Sequence, residues 1–421
     1  MRTTDHLFTV PLDHADPGGA QIEVYAREVG DPSLPWLLFL NGGPGFASPR
    51  PLGDEGWLHT ALRRYRVLLL DQRGTGRSTP VTRRSLGAVG EPAAQAEYLT
   101  HFRADSIVRD AERIRRTLGD GVPWSVLGQS FGGFCILAYL STAPEGLREA
   151  FVTGGLPGLG VTADDVYRSL YTTVAAKNSA HYERFPADVD RAAAIAQHLR
   201  ANDVRLPNGR RLTVPVFQSL GNLLGAATGS ARLHYLLEAP FDGAELSDAF
   251  LWGVDREVSW AAASPLYAVL HEPTYADGDG ALNWSAQRLR AEFPEFDAAE
   301  PLLFTGEMIF PWTYDDPALE SFRAAGRLLA ERAGWSRLYD LDRLRANEVP
   351  VTAAVYENDM YVARDLSLAT ADLIGARVWR TAEYEHDGLR VSGGAVLDEL
   401  FTLAAGPAPA GRTPAAAPPA E

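Results

Sequence analysis

Lysine is nearly missing from this chain: Lys177 is the only one among 421 residues. That scarcity removes most lysine chemistry, Schiff bases and the phosphate-loop lysine included. Cysteine is equally scarce. Cys135 stands alone, so no disulfide forms within the chain. No stretch approaches the roughly 20 apolar residues of a membrane span. Met1–His6 has no apolar segment of the kind that opens a signal peptide. There is no H-E-x-x-H and no Cys/His pair at metal spacing, so neither a metal nor a cofactor is expected. Lys and Arg form no long basic stripe, and a net charge of −15 repels phosphate backbones, so nucleic acid is excluded as a partner. These absences lead to the expectation of a soluble, cytoplasmic protein with no membrane association.

What is present is an ordinary globular composition, 46% hydrophobic, on a chain long enough for one large core or two lobes. Ile22–Val29, Trp36–Leu40, Arg66–Leu70, Trp124–Leu127 and Ala150–Thr153 read as strands. Trp36–Leu40 and Arg66–Leu70 are almost continuously apolar, as strands covered on both faces of a parallel sheet are. Helical spacing of Ile107, Ala111, Ile114 and Leu118 predicts a helix over 105–118, and 57–65 reads as a short one. Strand and helix alternate, which predicts an α/β fold with a mostly parallel central sheet. The character changes after residue 160. Helix-like segments cover 164–182, 190–201, 216–224, 246–257, 284–292 and 317–331. A strand at 349–356, a helix at 362–374, a strand at 376–379 and a helix at 394–404 then resume the earlier pattern. The expected organisation is a core over 1–160 and 346–405, a mainly helical cap inserted over 161–345, and a disordered Pro/Ala-rich tail over 406–421.

Gly128-Gln129-Ser130-Phe131-Gly132 is a G-x-S-x-G pentapeptide between an apolar strand and the helix-like run Phe134–Leu140. A strand, a sharp turn and a helix lift a serine hydroxyl clear of the backbone, as in the nucleophile elbow of α/β-hydrolases. Such a serine needs a base and an acid that orients the base, in the chain order Ser, Asp or Glu, His. Of the nine histidines only His386 lies after the resumed core, in the loop before the last helix. Asp359, just past the 349–356 strand, is the expected acid. Glu357, two residues upstream, is its rival. Asn41-Gly42-Gly43-Pro44-Gly45 ends the second strand, and its glycines let backbone N–H groups approach a substrate. Gly43 N–H and Phe131 N–H are therefore the expected oxyanion donors. Asp71 and Arg73, in the loop running to Ser78, are expected to make internal polar contacts.

Gly42–Gly45, Asp71–Ser78 and Gly128–Gly133, with Asp359 and His386, together resemble the proline iminopeptidase family of α/β-hydrolases, in its larger subtype. The likeness covers about 35–400. Asn41 departs from it, since a histidine often precedes the Gly-Gly-Pro-Gly there. The resemblance implies a serine exopeptidase that releases N-terminal proline from peptides or amides through a prolyl-enzyme. It also implies cap glutamates that hold the substrate's imino group, here Glu272 and Glu307. Tyr275, Phe310 and Trp312 lie near them in sequence as an apolar wall for a pyrrolidine ring. The same core equally serves an esterase, an amidase or an aminopeptidase of other specificity, because the cap decides the substrate.

Overall fold

Eight strands form one sheet in the order β1-β2-β4-β3-β5-β6-β9-β10. They are β1 (Thr3–Pro11), β2 (Gln21–Val29), β3 (Trp36–Leu40), β4 (Arg66–Leu70), β5 (Trp124–Gln129) and β6 (Leu147–Thr153), then β9 (Val351–Tyr356) and β10 (Arg377–Thr381). A separate two-stranded hairpin, β7 (Phe241–Asp242) with β8 (Glu245–Leu246), lies between the two groups in sequence. The structure is a computed structural model that describes residues 2–278, 280–298 and 300–406. The expected disordered tail lies, beyond Gly406, outside the described residues.

β1 and β2 pair antiparallel, as do β2 and β4, and every neighbour from β4 to β10 is parallel. The period-two geometry of a strand divides the apolar runs between two cores. Leu38 and Leu40 of β3, Leu68 of β4 and Val126 of β5 face helices Ala104–Leu118 and Phe131–Thr142. Leu37, Phe39, Leu69 and Leu127 face helices Gly56–Leu62 and Ala395–Ala405. Burial on both faces is why these strands lack polar alternation.

Between β6 and β9 the chain is mainly helical and has its own apolar cluster, centred on Tyr171, Val174, Ile195, Phe217 and Phe304. Some helices are shorter than the sequence pattern suggests. The segment expected over 216–224 is a short helix, Val214–Gln218, followed by a 3₁₀ stretch, Ser219–Gly225. Gly221 and Gly225 weaken an α-helix here, and a Cβ at Gly221 would meet the Phe304–Thr305 backbone. The helix expected from 317 begins at Arg323. β1 gives no sequence signal because it is a mostly exposed, polar edge strand. Among the described residues no helix is long and apolar enough to cross a membrane.

The topology gathers four loops at one edge. Asn41 follows β3, Ser130 follows β5, Asp359 lies three residues past β9, and His386 lies five past β10. All are at the carboxyl ends of parallel strands, where open α/β sheets present their ligand sites.

Candidate active site

Ser130 sits at φ 55°, ψ −126°, a conformation that costs a non-glycine residue on the order of 1–3 kcal/mol. Its N–H donates to Thr153 O at 3.0 Å, and its carbonyl accepts from Gly133 N at 2.7 Å. Helix Phe131–Thr142 starts at the next residue. Close packing makes the turn possible: a Cβ at Gly132 would run into Leu40 O of the neighbouring strand.

His386 Nδ1 donates to Asp359 Oδ2 at 2.8 Å. The other carboxylate oxygen accepts from Tyr361 N at 2.9 Å and Val362 N at 3.0 Å, so Asp359 is held from two sides. Glu357 instead pairs with Arg364 and Arg380, because the turn after β9 takes Asp359 inward and leaves Glu357 outside. The Tyr361 ring meets the imidazole edge-on, with centroids 4.8 Å apart, and its hydroxyl donates to Asn222 O. Burial alone would push the imidazole's pKa down. The charge and hydrogen bond of Asp359, with the charge of Glu307, outweigh burial and raise it above the ordinary value.

Ser130 and His386 line one cavity of about 450 Å³. Among the described residues no hydrogen bond joins the two side chains; such contacts often tighten only around substrate. Asn41, Gly42 and Gly43 line the same space. A Cβ on Gly42 would lie 2.9 Å from Ser130 Cβ, so this loop runs against the serine. Phe131 N–H is the first of its helix and has no acceptor within it. A larger hollow, about 780 Å³, lies against Trp252, Asp255 and Asp316 and includes none of these groups.

Glu307 also lines the Ser130 cavity. One oxygen accepts from Tyr267 Oη at 2.8 Å, and the other lies 3.5 Å from His271 Nε2. Burial pushes its pKa up, but His271 first, then His386 and Tyr267, hold it below the ordinary carboxylate value. These neighbours favour the charged form of the Glu307 carboxylate in the cavity. Glu272 is placed differently. It is buried, accepts from Ser285 N at 2.5 Å, and is absent from the cavity lining. Burial pushes its pKa up to about 7. Tyr275 packs against Phe134, Tyr167 and His271. Phe310 and Trp312 stack 4.9 Å apart, and Trp312 lines a small hollow that shares Glu307, Tyr267 and Asn222 with the Ser130 cavity.

Asp71 and Arg73 stay out of the cavity lining. Asp71 accepts from Arg50, Ser48 N and Arg77 N. Arg73 is buried against Asp110 at 2.7 Å. Tyr267, Asn222 and Arg390 line the cavity without having been singled out in the sequence. The first two lie in the helical region, which has no motif. Arg390 carried a signal in its position four residues after His386.

The alpha/beta hydrolase fold model matches residues 35–389. A proline iminopeptidase of Aeromonas sobria is 50% identical over 408 residues, covering 94% of this chain and 95% of that protein. Proline iminopeptidase aneH of Aspergillus aculeatus is 36% identical over 425 residues, covering 96% and 93%. Among solved structures, a point mutant of esterase E22 superposes with a TM-score of 0.50 at 12% identity, covering 96% of this chain and 100% of that one.

Proposed function

We propose that this chain, which belongs to the α/β-hydrolases and within them to the proline iminopeptidases, uses Ser130 to release N-terminal proline from peptides. The observation that carries the assignment of residues is one cavity lined by Ser130, Glu307 and His386, the last held from behind by Asp359.

In the reaction, Ser130 Oγ attacks the carbonyl carbon of the prolyl residue while His386 Nε2 takes the hydroxyl proton. Asp359, hydrogen-bonded to Nδ1, keeps Nε2 free for that proton and stabilises the imidazolium that forms. The carbonyl oxygen gains charge and is held by Gly43 N–H and Phe131 N–H. The tetrahedral intermediate expels the amine, which takes the proton from His386. Water then attacks the prolyl ester, His386 again taking and returning a proton, and free proline leaves.

Glu307 supplies the preference for a free N-terminus. A prolyl N-terminus is a secondary ammonium, and a buried carboxylate pairs with it strongly. A substrate extended at the N-terminus presents a neutral amide there and leaves Glu307 without its partner. Glu272, outside the lining, acts in this scheme only through the packing beneath it. Trp312, with Phe310 stacked on it, borders the hollow beside Glu307, where a pyrrolidine ring would lie. The helical segment 161–345 acts as a cap that carries specificity, and residues 1–160 and 346–405 act as the catalytic core. A single, buried cysteine suits a reducing compartment, and this reading places the enzyme in the cytoplasm.

Hydrolysis of proline β-naphthylamide is the test. Ser130→Ala is expected to abolish it, and undiminished turnover in that variant overturns the nucleophile. N-acetylation of the prolyl nitrogen is expected to remove activity, while equal cleavage of both forms overturns the amine clamp at Glu307.

A further inference from the structure

Arg390 stands at the mouth of the Ser130 cavity, more than a third exposed, in the short helix Gly388–Val391 directly after His386. Its guanidinium donates from Nη2 to the neutral side-chain oxygen of Gln129 at 2.6 Å. It forms no ion pair among the described residues. That sets it apart from Arg50 and Arg73 on nearby loops, each held by a buried carboxylate, Asp71 and Asp110 respectively.

The Gln129 contact fixes where this cation stands relative to the chemistry. A Cβ on Gly42 would lie 2.6 Å from Gln129 Oε1 and 2.9 Å from Ser130 Cβ. The oxygen that holds Arg390 and the carbon that carries the nucleophile are therefore neighbours across one glycine. Glu307 lines the same cavity. Both charges act on His386, Glu307 favouring its protonated form and Arg390 opposing it, so the imidazole lies within reach of both poles.

A cavity lined by an anion, a cation and a serine matches a zwitterion. In a prolyl dipeptide the Cα atoms are about 3.8 Å apart, and the carboxylate is one bond beyond the second. The carboxylate therefore stays within a few ångströms of the scissile carbonyl, on the leaving-group side. In a longer peptide that position holds a neutral amide carbonyl.

Resting on the serine-peptidase reading above, we propose that Arg390 binds the free C-terminal carboxylate of the residue after proline, and that prolyl dipeptides are the preferred substrate class. The guanidinium offers a planar fork of donors to that carboxylate. Gln129, already bonded to Nη2, orients the fork.

The test compares kcat/KM of the full chain on prolyl-alanine, prolyl-alaninamide and proline β-naphthylamide. The dipeptide is expected to exceed its amide by about tenfold or more, the size of a charge-assisted contact. In Arg390→Gln the ratio is expected to fall to within about twofold, with Arg390→Lys keeping part of it. Equal values for dipeptide and amide in the unmodified enzyme, with the naphthylamide cleaved, overturn the role of Arg390 and leave the Ser130 reading intact. An undiminished ratio in a folded Arg390→Gln also overturns that role. No cleavage of any of the three overturns the reading beneath it. Should the variant fail to fold, the ratio in the unmodified enzyme decides.

Discussion

Lys177 Nζ lies 2.5 Å from Glu385 Oε2, tying helix Ala163–Arg184 of the inserted segment to the residue next to His386. The chain's one lysine is thus committed to a partly buried ion pair that spans the helical segment and the loop bearing the imidazole. Breaking such a pair leaves a carboxylate in a poorly solvated place, where burial already raises its pKa. Lys177→Met is expected to lower kcat several-fold with a smaller change in KM, and to lower stability by about 1–3 kcal/mol. Adding Glu385→Gln is expected to restore part of the loss. The double-mutant cycle in kcat and in urea midpoint reads the coupling, and strict additivity argues against a positioning role.

The pH dependence follows from the raised pKa of His386. Protonation blocks Nε2 as a base, so kcat/KM is expected to fall as pH drops through a value above that of an ordinary histidine. Glu307→Gln removes a negative charge that favours the imidazolium. The acid limb of the profile is then expected to move to lower pH. Asp359→Asn is expected to cost about 10⁴-fold in kcat, because the imidazole loses its orienting acceptor. An acid limb unmoved by Glu307→Gln shows that the two groups are not electrostatically coupled.

Glu272 carries a stability signature of opposite sign to most carboxylates. Its folded pKa is pushed above the unfolded one, to about 7, by burial. The folded state therefore favours the neutral acid. That advantage is complete below the unfolded value and is lost as pH rises towards and through 7. The loss is about 3 kcal/mol across that window. Glu272→Gln keeps an acceptor for Ser285 N and removes the titration. Urea midpoints at about pH 4 and about pH 8.5, on either side of that window, are expected to differ less in the variant than in the unmodified protein. An identical pH dependence in both contradicts the assignment.

Gly154 stands behind the His386–Asp359 pair at φ 51°. A Cβ there would lie 3.0 Å from the Tyr356 ring, 3.1 Å from His386 Nδ1 and 3.2 Å from Asp359 Oδ2. Gly154→Ala is thus strained in its backbone and crowds the dyad. A displacement of this kind is expected to cost about 10–100-fold in kcat. The acid limb of kcat/KM is expected to shift towards the ordinary histidine value as the His386–Asp359 bond loosens. An unmoved profile with only a lower melting temperature points to a purely structural effect.

Local chemistry made the core legible from the sequence. Apolar runs marked the buried parallel strands, glycines marked close backbone approaches, and the chain order of serine, carboxylate and histidine left few choices. β1 escaped because an exposed edge strand needs no apolar pattern, and the ends of several helices shifted where Gly and 3₁₀ turns intervened. The place of Asp359 past the strand already favoured it over Glu357, and the turn after β9 supplies the geometry, taking Asp359 to His386 and leaving Glu357 with Arg364 and Arg380. Specificity needed the tertiary structure even more. Glu307 and Glu272 look equivalent as cap glutamates, yet folding brings one to the serine with His271 beside it and buries the other against Ser285. Arg390 becomes a pole of the cavity only through Gln129. Which charges face a common space depends on how distant segments cross, and a one-dimensional pattern does not contain that information.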